Sequence, residues 1–302
     1  MRSLGLLLVD DTNEFQQLLA REAAEAAKRV GAALSVKASG AGGYELGAQL
    51  KVIDEWLGGD AAPDALLVLA ARDRGLSRPI RDAARRGVHW IALNRTEDDL
   101  DAVRREFPAV VVATVCPDEE ETGRIQARMV CQLLPRGGRV LHVTGYSRSL
   151  TARDRSAGFA EALAGGPHQT VRVEAGWSAA EARAAVGTWL RIVLRARRRL
   201  DAIVCHTDSL AEGTLLALDE VRAELGRRDL RVPVVGCDGT PGQGQALVAS
   251  GRLVATVILP RAAAKAIVLL SDALKRGTPV PAFTLLPGRP WPEDLVSLRS
   301  SA

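Results

Sequence analysis

The chain has 302 residues, of which 47% are hydrophobic and 25% are charged. This composition provides enough apolar material for buried cores, and the length predicts more than one domain. Forty basic and 36 acidic residues leave a formal net charge of +4, a surplus too small to indicate a nucleic-acid partner. Since no apolar stretch is long enough to span a bilayer, we expect a protein that is not membrane-embedded.

The beginning of the chain bears on its location. Met1-Arg2-Ser3 precedes a short apolar run and two aspartates. The run is too short for the core of a signal peptide, and no small-residue cleavage site follows it. We therefore expect a cytoplasmic protein as the chain stands, and a periplasmic one if a signal peptide has been removed.

Short runs rich in Val, Ile and Leu alternate with amphipathic helical stretches along the chain. Continuous apolar runs of this kind are typical of strands buried on both faces of a parallel sheet. The predicted strands lie at residues 4–9, 33–38, 65–70, 89–94, 110–115, 139–145, 170–176, 202–207, 232–238 and 253–259. The pattern predicts an α/β fold with two doubly wound, Rossmann-like parallel sheets of about five strands each.

The polar residues that follow these strands indicate where a ligand binds. In open α/β sheets, ligands bind beyond the carboxyl ends of the strands. The side chains there are polar, of mixed charge and partly aromatic. Such a mixture suits sugars, because carboxylates, amides and guanidinium groups bind hydroxyls while flat rings cover the apolar sugar faces.

Five segments, in order along the chain, carry a family resemblance. They are DDTNEFQQLL (10–19), ALNRT (92–96), TARDRSAGFAEAL (151–163), CHTDSLAEGTLLAL (205–218) and VVGCDGTPGQGQALVASGRLVATV (234–257). With them the chain resembles the type I periplasmic binding proteins, particularly the ribose- and galactose-binding kind, and the ligand-binding core of lac-repressor-like regulators. The resemblance covers essentially the whole chain.

This resemblance implies two discontinuous lobes joined by a hinge. Residues 1–117 and 260–287 would form the N-terminal lobe, and residues 118–259 and 288–302 the C-terminal lobe. The ligand would bind in the cleft between them, and the hinge would close over it. The ligand-binding residues expected from the resemblance and from the strand ends are Asp10, Asn13, Phe15, Asn94, Arg95, Arg155, Trp177, Thr207 and Asp238.

The chain departs from the family pattern at several positions. Asn94 replaces the usual Asp, and Thr207 replaces the usual Asn. Gln16, Ala70 and Leu259 stand where a second aromatic residue, an Asn and a Gln are common. The hydroxyl network specific for a pentose is therefore incomplete, and the resemblance transfers the fold more fully than the identity of the ligand.

Structural interpretations stay open for some of these residues. Arg155 and Asp238 could form a helix-capping or interdomain pair, and Trp177 could belong to a core. Asp208 is predicted to be the N-cap of a helix over 208–224. His206 is predicted to be a half-buried histidine whose hydrogen bonds are satisfied.

The favoured function is non-catalytic binding of a sugar as the substrate-binding component of an ABC-type transporter, with the permease as partner. No metal and no cofactor are expected, because the sequence has no metal-spaced cluster, nucleophile–base pair or phosphate loop. The alternatives are a leaderless cytoplasmic sensor that signals to a partner protein and, less favoured, a sugar-processing enzyme. Direct DNA binding is not expected, since a helix-turn-helix would need about fifty residues before the first strand, which begins at residue 4.

Overall fold

The computed structural model describes residues 1–40, 45–59, 62–227 and 230–293. The chain forms two compact units. The first unit contains Met1–Pro117 and Pro260–Leu286, and the second contains Asp118–Leu259 and the chain from Pro287 onward. In both units parallel strands alternate with helices, which confirms the predicted α/β class.

The strands and helices are numbered in chain order. The strands are β1 (Ser3–Leu8), β2 (Ala33–Ala38), β3 (Ala65–Val68), β4 (His89–Ala92), β5 (Val112–Pro117), β6 (Gly138–Thr144), β7 (His168–Glu174), β8 (Ala202–Cys205), β9 (Val234–Val235), β10 (Thr256–Ile258), β11 (Phe283–Leu286) and β12 (Arg289–Trp291). The helices are α1 (Glu14–Val30), α2 (Leu46–Gly58), α3 (Ser77–Arg85), α4 (Leu100–Glu106), α5 (Glu119–Leu133), α6 (Leu150–Leu163), α7 (Ala179–Arg195), α8 (Asp208–Glu224), α9 (Ala246–Ala249) and α10 (Ala262–Arg276). A π-helical turn, Pro241–Gln245, precedes α9.

The first unit is built on a six-stranded parallel sheet in the order β11-β5-β4-β3-β1-β2. Alternate side chains of a strand point to opposite faces. The side chains of β1 therefore pack into two hydrophobic clusters, one on each face of the sheet. Leu6 packs on one face in a cluster with residues of α1 and α10. Leu7 packs on the other face with residues of α2 and α3. Both faces are thus covered, which explains the unbroken apolar runs.

The second unit has a four-stranded parallel sheet in the order β7-β6-β8-β9. Leu141 and Ile203 pack with residues of α7 and α8. Beside β9, an antiparallel pair of β10 and β12 follows, and isolated parallel bridges join Val235 to Ala255 and Asp238 to Ile258. The carboxyl ends of β6, β8 and β9 therefore lie at one edge.

The structure corrects the strand prediction in the last quarter of the chain. Two sheets of about five strands are replaced by a six-stranded sheet, a four-stranded sheet and a two-stranded pair. The predicted strand 232–238 shortens to β9, because Pro233 lacks an N–H and Gly236 lies beyond the ladder. β11 and β12 were not predicted, since Phe283 and Leu285 are half-exposed on an edge strand and give no buried run.

Among the helices of the described residues, none is both long and apolar enough to cross a membrane.

Candidate functional site

The loop after β1 is held by amide side chains of the first unit. Gln16 Oε1 accepts hydrogen bonds from the backbone N–H groups of Val9 (2.9 Å) and Asp10 (3.0 Å). The carboxylate of Asp10 accepts from the N–H (2.8 Å) and the hydroxyl (2.7 Å) of Thr12, which forms an Asx-turn. Asn13 is the N-cap of α1 and accepts from the N–H of Gln16 at 3.1 Å. Gln16, in place of a second aromatic residue, thus has a structural function.

Phe15 lies at the start of α1 with its ring half-buried. The guanidinium carbon of Arg261 lies 6.0 Å from the ring centroid, within the range of a cation–π contact. Arg261 also pairs with Glu22 on α1 at 3.3 Å. A charged group of the same unit therefore covers part of the ring, and its predicted contact with a ligand stays a prediction.

The segment after β3 is held between two further amides. Asn94 Oδ1 accepts from the N–H of Ala70 (2.8 Å), and Asn94 Nδ2 donates to the carbonyl of Ala70 (3.0 Å). The amide of Gln49 binds the residues on either side of Ala70. It accepts from the N–H of Ala71 (2.8 Å) and donates to the carbonyl of Leu69 (2.7 Å). A carboxylate at position 94 could not donate to Ala70, so this pair of hydrogen bonds requires an amide. Arg95 is exposed at the beginning of the following loop.

In the second unit, two glycines let α5 and α6 approach each other closely. A Cβ on Gly123 would overlap the backbone of Arg155, and a Cβ on Gly158 would overlap the backbone of Glu120. The glycines therefore permit direct backbone contact. This contact brings Glu119, in the first turn of α5, next to the side chain of Arg155 on α6.

Arg155 is buried, with only 2% of its side chain exposed, and forms an ion pair with Glu119. Its Nε donates to the Glu119 carboxylate at 2.9 Å, a terminal nitrogen donates to the same carboxylate, and the other terminal nitrogen donates to the carbonyl of His206. Burial raises the pKa of Glu119, and the charge of Arg155 opposes that shift. The ion-pair partner of Arg155 is thus Glu119, and not Asp238, the partner that the sequence leaves open. Contact of Arg155 with a ligand stays a prediction.

His206 is fully buried, although the sequence predicted a half-buried histidine. Its Nδ1 accepts from the backbone N–H of Gly145 at 3.2 Å, so the hydrogen-bonded state that was predicted is present. The ring of His142 lies edge-on with its centroid 4.8 Å away. Burial lowers the pKa of His206 well below its usual value and that of His142 to about 3. Both rings are therefore neutral at pH 7.

Trp177 follows β7 and is half-buried. Its ring lies nearly parallel to that of His206, with 28° between the planes and 6.4 Å between the centroids. A Cβ on Gly145 would overlap the indole, so glycine is needed at that position. The backbone N–H of Trp177 donates to Glu181 at 3.3 Å, and Glu181 forms a capping box with Ser178 at the start of α7. The indole position is fixed, while stacking on a ligand stays a prediction.

Thr207, and not Asp208, is the N-cap of α8. The Thr207 hydroxyl accepts from the N–H of Leu210 at 3.1 Å. Asp208 is the first helical residue, and its buried carboxylate accepts from the N–H of Gly239 and the hydroxyl of Thr256, each at 2.7 Å. The predicted N-cap at Asp208 is wrong because the hydroxyl one residue earlier satisfies the helix, which leaves the carboxylate for the neighbouring loop.

Asp238 has a backbone conformation that is rare outside glycine, with φ = 108°. Its N–H donates to the carbonyl of Val257 (3.0 Å), and its carbonyl accepts from the N–H of Leu259 (3.2 Å). Burial raises the pKa of the Asp238 carboxyl well above its usual value, and the charge of Asp208 adds to this. Arg155 acts in the opposite direction. A non-glycine residue with positive φ, held on both sides, is typical of a functional position.

Several residues that shape the strand ends were not predicted. Besides Gln16 and Gln49, Gln126 on α5 donates to the carbonyls of Cys205 (2.8 Å) and Gly236 (3.1 Å) and so joins the ends of β8 and β9. Glu119, the ion-pair partner of Arg155, is also absent from the residues predicted from the sequence. Within the described ranges, no group of three or more His, Cys, Asp or Glu side chains could hold a metal ion.

Comparison with known proteins identifies the family. The family described as "Periplasmic binding protein domain" matches residues 4–279. The ribose import binding protein of Salmonella typhimurium (strain LT2) is 27% identical over 194 residues, which are 59% of this chain and 62% of that protein. The putative rhizopine-binding protein of Rhizobium meliloti is 24% identical over 197 residues, 64% of this chain and 59% of that protein. The aligned region thus spans about three fifths of the length of these curated relatives.

Solved structures share the fold. A periplasmic solute-binding protein of an ABC transporter from Actinobacillus succinogenes, with bound D-allose, has a TM-score of 0.81 at 18% identity, covering 98% of this chain and 99% of that one. The fructose-binding periplasmic domain of a hybrid two-component system has a TM-score of 0.79 at 22% identity, covering 96% and 90%. The resemblance deduced from the sequence is confirmed, and the chain belongs to the periplasmic binding protein family.

Proposed function

We propose that this chain is a non-catalytic binding protein for a sugar or cyclic polyol and is the substrate-binding component of an ABC-type sugar transporter. The observation that carries the proposal lies in the second unit. Trp177, Thr207 and Asp238 follow the carboxyl ends of β7, β8 and β9, at the edge where ligands bind to open α/β sheets. The names of relatives and fold neighbours, which refer to ribose, allose and myo-inositol, support the same ligand class.

These side chains match the chemistry of a sugar. A carboxylate accepts hydrogen bonds from two hydroxyl groups at once, and an indole covers the apolar C–H face of a pyranose or inositol ring. The backbone of Asp238 is hydrogen-bonded on both sides, and the indole of Trp177 lies against Gly145. Because both groups are fixed before the ligand arrives, little conformational entropy is lost on binding.

The arrangement around Ser156 supports binding without catalysis. Ser156 Oγ lies 3.5 Å from Nε2 of His206, which is the kind of contact a nucleophile makes with its base. Nδ1 of His206 accepts from Gly145, so the neutral ring carries its proton on Nε2. Nε2 is then a donor toward Ser156 and cannot take its proton. The pair lacks the tautomer that a serine nucleophile requires.

A thermal-shift screen with D-ribose, D-allose, L-arabinose, D-galactose, D-fructose, myo-inositol and nucleosides tests the proposal. A ligand at one hundred times its Kd adds about 2.7 kcal/mol to the free energy of unfolding. We expect Asp238→Asn to reduce the shift strongly by raising the Kd, while the control Asp272→Asn, an exposed carboxylate on α10, keeps the full shift. A full shift in the Asp238 variant would show that the site is misplaced. Chemical conversion of the bound ligand would show an enzyme.

A ligand sensor that signals to a partner protein is the second candidate, and the fructose-binding domain of a two-component system among the fold neighbours favours considering it. Gene deletion separates the two functions. Loss of uptake of the identified sugar supports transport, whereas unchanged uptake with a lost transcriptional response to that sugar supports sensing. Hinge closure, expected from the family, is tested by small-angle scattering as a decrease in the radius of gyration at saturating ligand.

A further inference from the structure

We propose that Asp208 is a positioning residue that holds Asp238 in place for the ligand, an inference that rests on the proposed function. Asp208 is fully buried at the first position of α8. Its two carboxylate oxygens bind two different elements. Oδ2 accepts from the N–H of Gly239 in the loop after β9, and Oδ1 accepts from the hydroxyl of Thr256 on β10. Asp208 therefore ties the loop that contains Asp238 to both a helix and a strand.

The two aspartates hold each other's backbone. The carboxylate of Asp208 accepts from the residue after Asp238, and the backbone N–H of Asp208 donates to the carboxylate of Asp238. That N–H is one of the first four in α8, which lack partners within the helix. The Asp238 carboxylate thus has a fixed donor on one side, and its position depends on where Asp208 holds the loop.

The chain around Asp208 has room for a carboxylate of this size only. A Cβ on Gly236 would overlap one oxygen of Asp208, and a Cβ on Gly244 would overlap the other. Gly239, at φ = 59°, leaves no space for a Cβ either, because Ile258 lies against it. Three glycines therefore enclose the Asp208 contact, and a longer glutamate at position 208 would meet backbone atoms.

The conformation of Asp238 makes such a tie necessary. A non-glycine residue at φ = 108° is kept in this conformation only where its neighbours fix it. Val257 and Leu259 fix the peptide groups of Asp238 itself, and Asp208 fixes the next residue. Placing a second buried carboxylate here is electrostatically unfavourable, so its hydrogen bonds to Gly239 and Thr256 must outweigh that repulsion.

The test is calorimetric titration of the full chain with D-ribose, D-allose and myo-inositol. Asp208→Asn replaces one accepting oxygen by a donor, so we expect the Kd to rise about tenfold or more. Thr256→Val removes the side-chain donor to Asp208 at nearly constant volume and leaves the backbone donors, among them Gly239, in place, so we expect a smaller rise in Kd. Thr256→Ser keeps the hydroxyl and is the matched control, with a Kd within about twofold of the unsubstituted chain.

A double-mutant cycle with Asp238→Asn separates positioning from general destabilisation. If Asp208 acts through Asp238, the double variant binds no more weakly than Asp238→Asn alone. Multiplied losses, or unchanged binding by Asp208→Asn, would overturn this inference while leaving the proposed function intact. If Asp208→Asn does not fold, equal affinities of the Val and Ser variants at position 256 would overturn it. Absence of binding by the unsubstituted chain would overturn the proposed function, and this inference with it.

Discussion

The two units differ in the side chains that bind backbone groups at the ends of their strands. At the carboxyl ends of their strands, backbone N–H and carbonyl groups leave the sheet and need new partners. In the first unit the neutral amides of Gln16, Gln49 and Asn94 supply those partners. In the second unit the amide of Gln126 does the same, but the charged or titratable side chains of Arg155, His206 and Asp208 also supply partners.

This difference has consequences for stability. A neutral amide that binds backbone has no charge to desolvate, and its loss leaves only unpaired polar groups. A buried ion pair leaves an uncompensated charge when one partner is removed, and a buried histidine or carboxyl makes stability depend on pH. We therefore expect the second unit to respond to charge-altering substitutions and to pH more strongly than the first.

The largest expected effect is that of Arg155→Ala. The substitution leaves the carboxylate of Glu119, only 11% exposed, without its partner, and removing one member of a buried pair costs about 3–5 kcal/mol. The two units need not unfold together, so the loss should be measured by amide hydrogen exchange in peptides from α5 and α6 as well as by urea denaturation.

Glu119→Gln combined with Arg155→Met is the control for this experiment. The double variant removes both charges, so it should recover part of the stability lost in Arg155→Ala. A loss below about 1 kcal/mol in the single variant, a magnitude ordinary for exposed pairs, would contradict the role given to this pair. Exchange protection in α1 and α2 of the first unit should stay unchanged.

Asn94→Ala is the matching change in the first unit and should have a smaller effect. It leaves the N–H and carbonyl of Ala70 without their side-chain partner, which costs about 1–3 kcal/mol. Asn94→Asp keeps the acceptor and loses the donor, so the loss should be intermediate. If Asn94→Ala destabilised the chain as strongly as Arg155→Ala, the contrast between amides and charges would not hold.

The pH dependence of stability tests the expectation that buried titratable groups make the second unit sensitive to pH. Burial lowers the pKa of His142 to about 3 in the folded chain, against about 6.5 when unfolded. Below pH 6.5 the unfolded chain binds a proton that the folded chain does not. The stability contributed by neutral His142 is therefore complete above pH 6.5 and decreases by about 1.4 kcal/mol per pH unit as the pH falls toward 3.

His142→Phe removes this titration and keeps an aromatic ring against Phe159, whose ring centroid lies 4.3 Å from that of His142. We expect the variant to gain stability relative to the unsubstituted chain by about 1.4 kcal/mol per unit between pH 6 and pH 4. The difference between the two chains is the quantity to measure, because Glu119, Asp208 and Asp238, whose pKa values are raised, titrate with the opposite sign. Parallel curves would contradict the prediction.

The sequence predicts most strands well because their signal is local, whether the strand is buried, as β3 is, or partly exposed, as β2 is. The run at 33–38 agrees with β2 at both ends, and a predicted run overlaps each of the strands from β1 to β8. β11 has no such signal. Phe283 is half-exposed, and the strand exists because it pairs with β5, where Phe283 lies opposite Thr114. A pairing across so many residues of chain leaves no periodic pattern in either segment.

In the site, too, the sequence predicts where functional residues lie but not which residues they interact with. That polar residues follow β1, β4, β8 and β9 could be deduced from the sequence, because strand ends are local features. The partner of Arg155 could not, because Glu119 precedes it by 36 residues and meets it only through the close approach of Gly123 and Gly158. Likewise, Thr207 took the capping position expected of Asp208, since a choice between adjacent residues depends on the loop that packs beside them.

The smallest effects on stability are expected at the helix N-caps, which both units use. Because substitutions there barely change stability, they give the sharpest test of ligand contact. Asn13 caps α1 in the first unit and Thr207 caps α8 in the second. Both residue types are good N-caps, so Asn13→Thr and Thr207→Asn should each change the free energy of unfolding by no more than about 0.5 kcal/mol.

Because stability is nearly unchanged in these variants, a change in their affinity for the sugar identified by the screen shows that the substituted side chain contacts the ligand. The amide nitrogen of Asn13 takes no part in the cap, which uses Oδ1, and threonine has no equivalent donor. We expect Asn13→Thr to raise the Kd about tenfold, the value of one hydrogen bond, and Thr207→Asn to lower it, because asparagine adds a donor beyond the capping oxygen. Unchanged affinity in both variants would show that these residues are helix caps alone, and that ligand recognition at the strand ends belongs to Asp238 and Trp177.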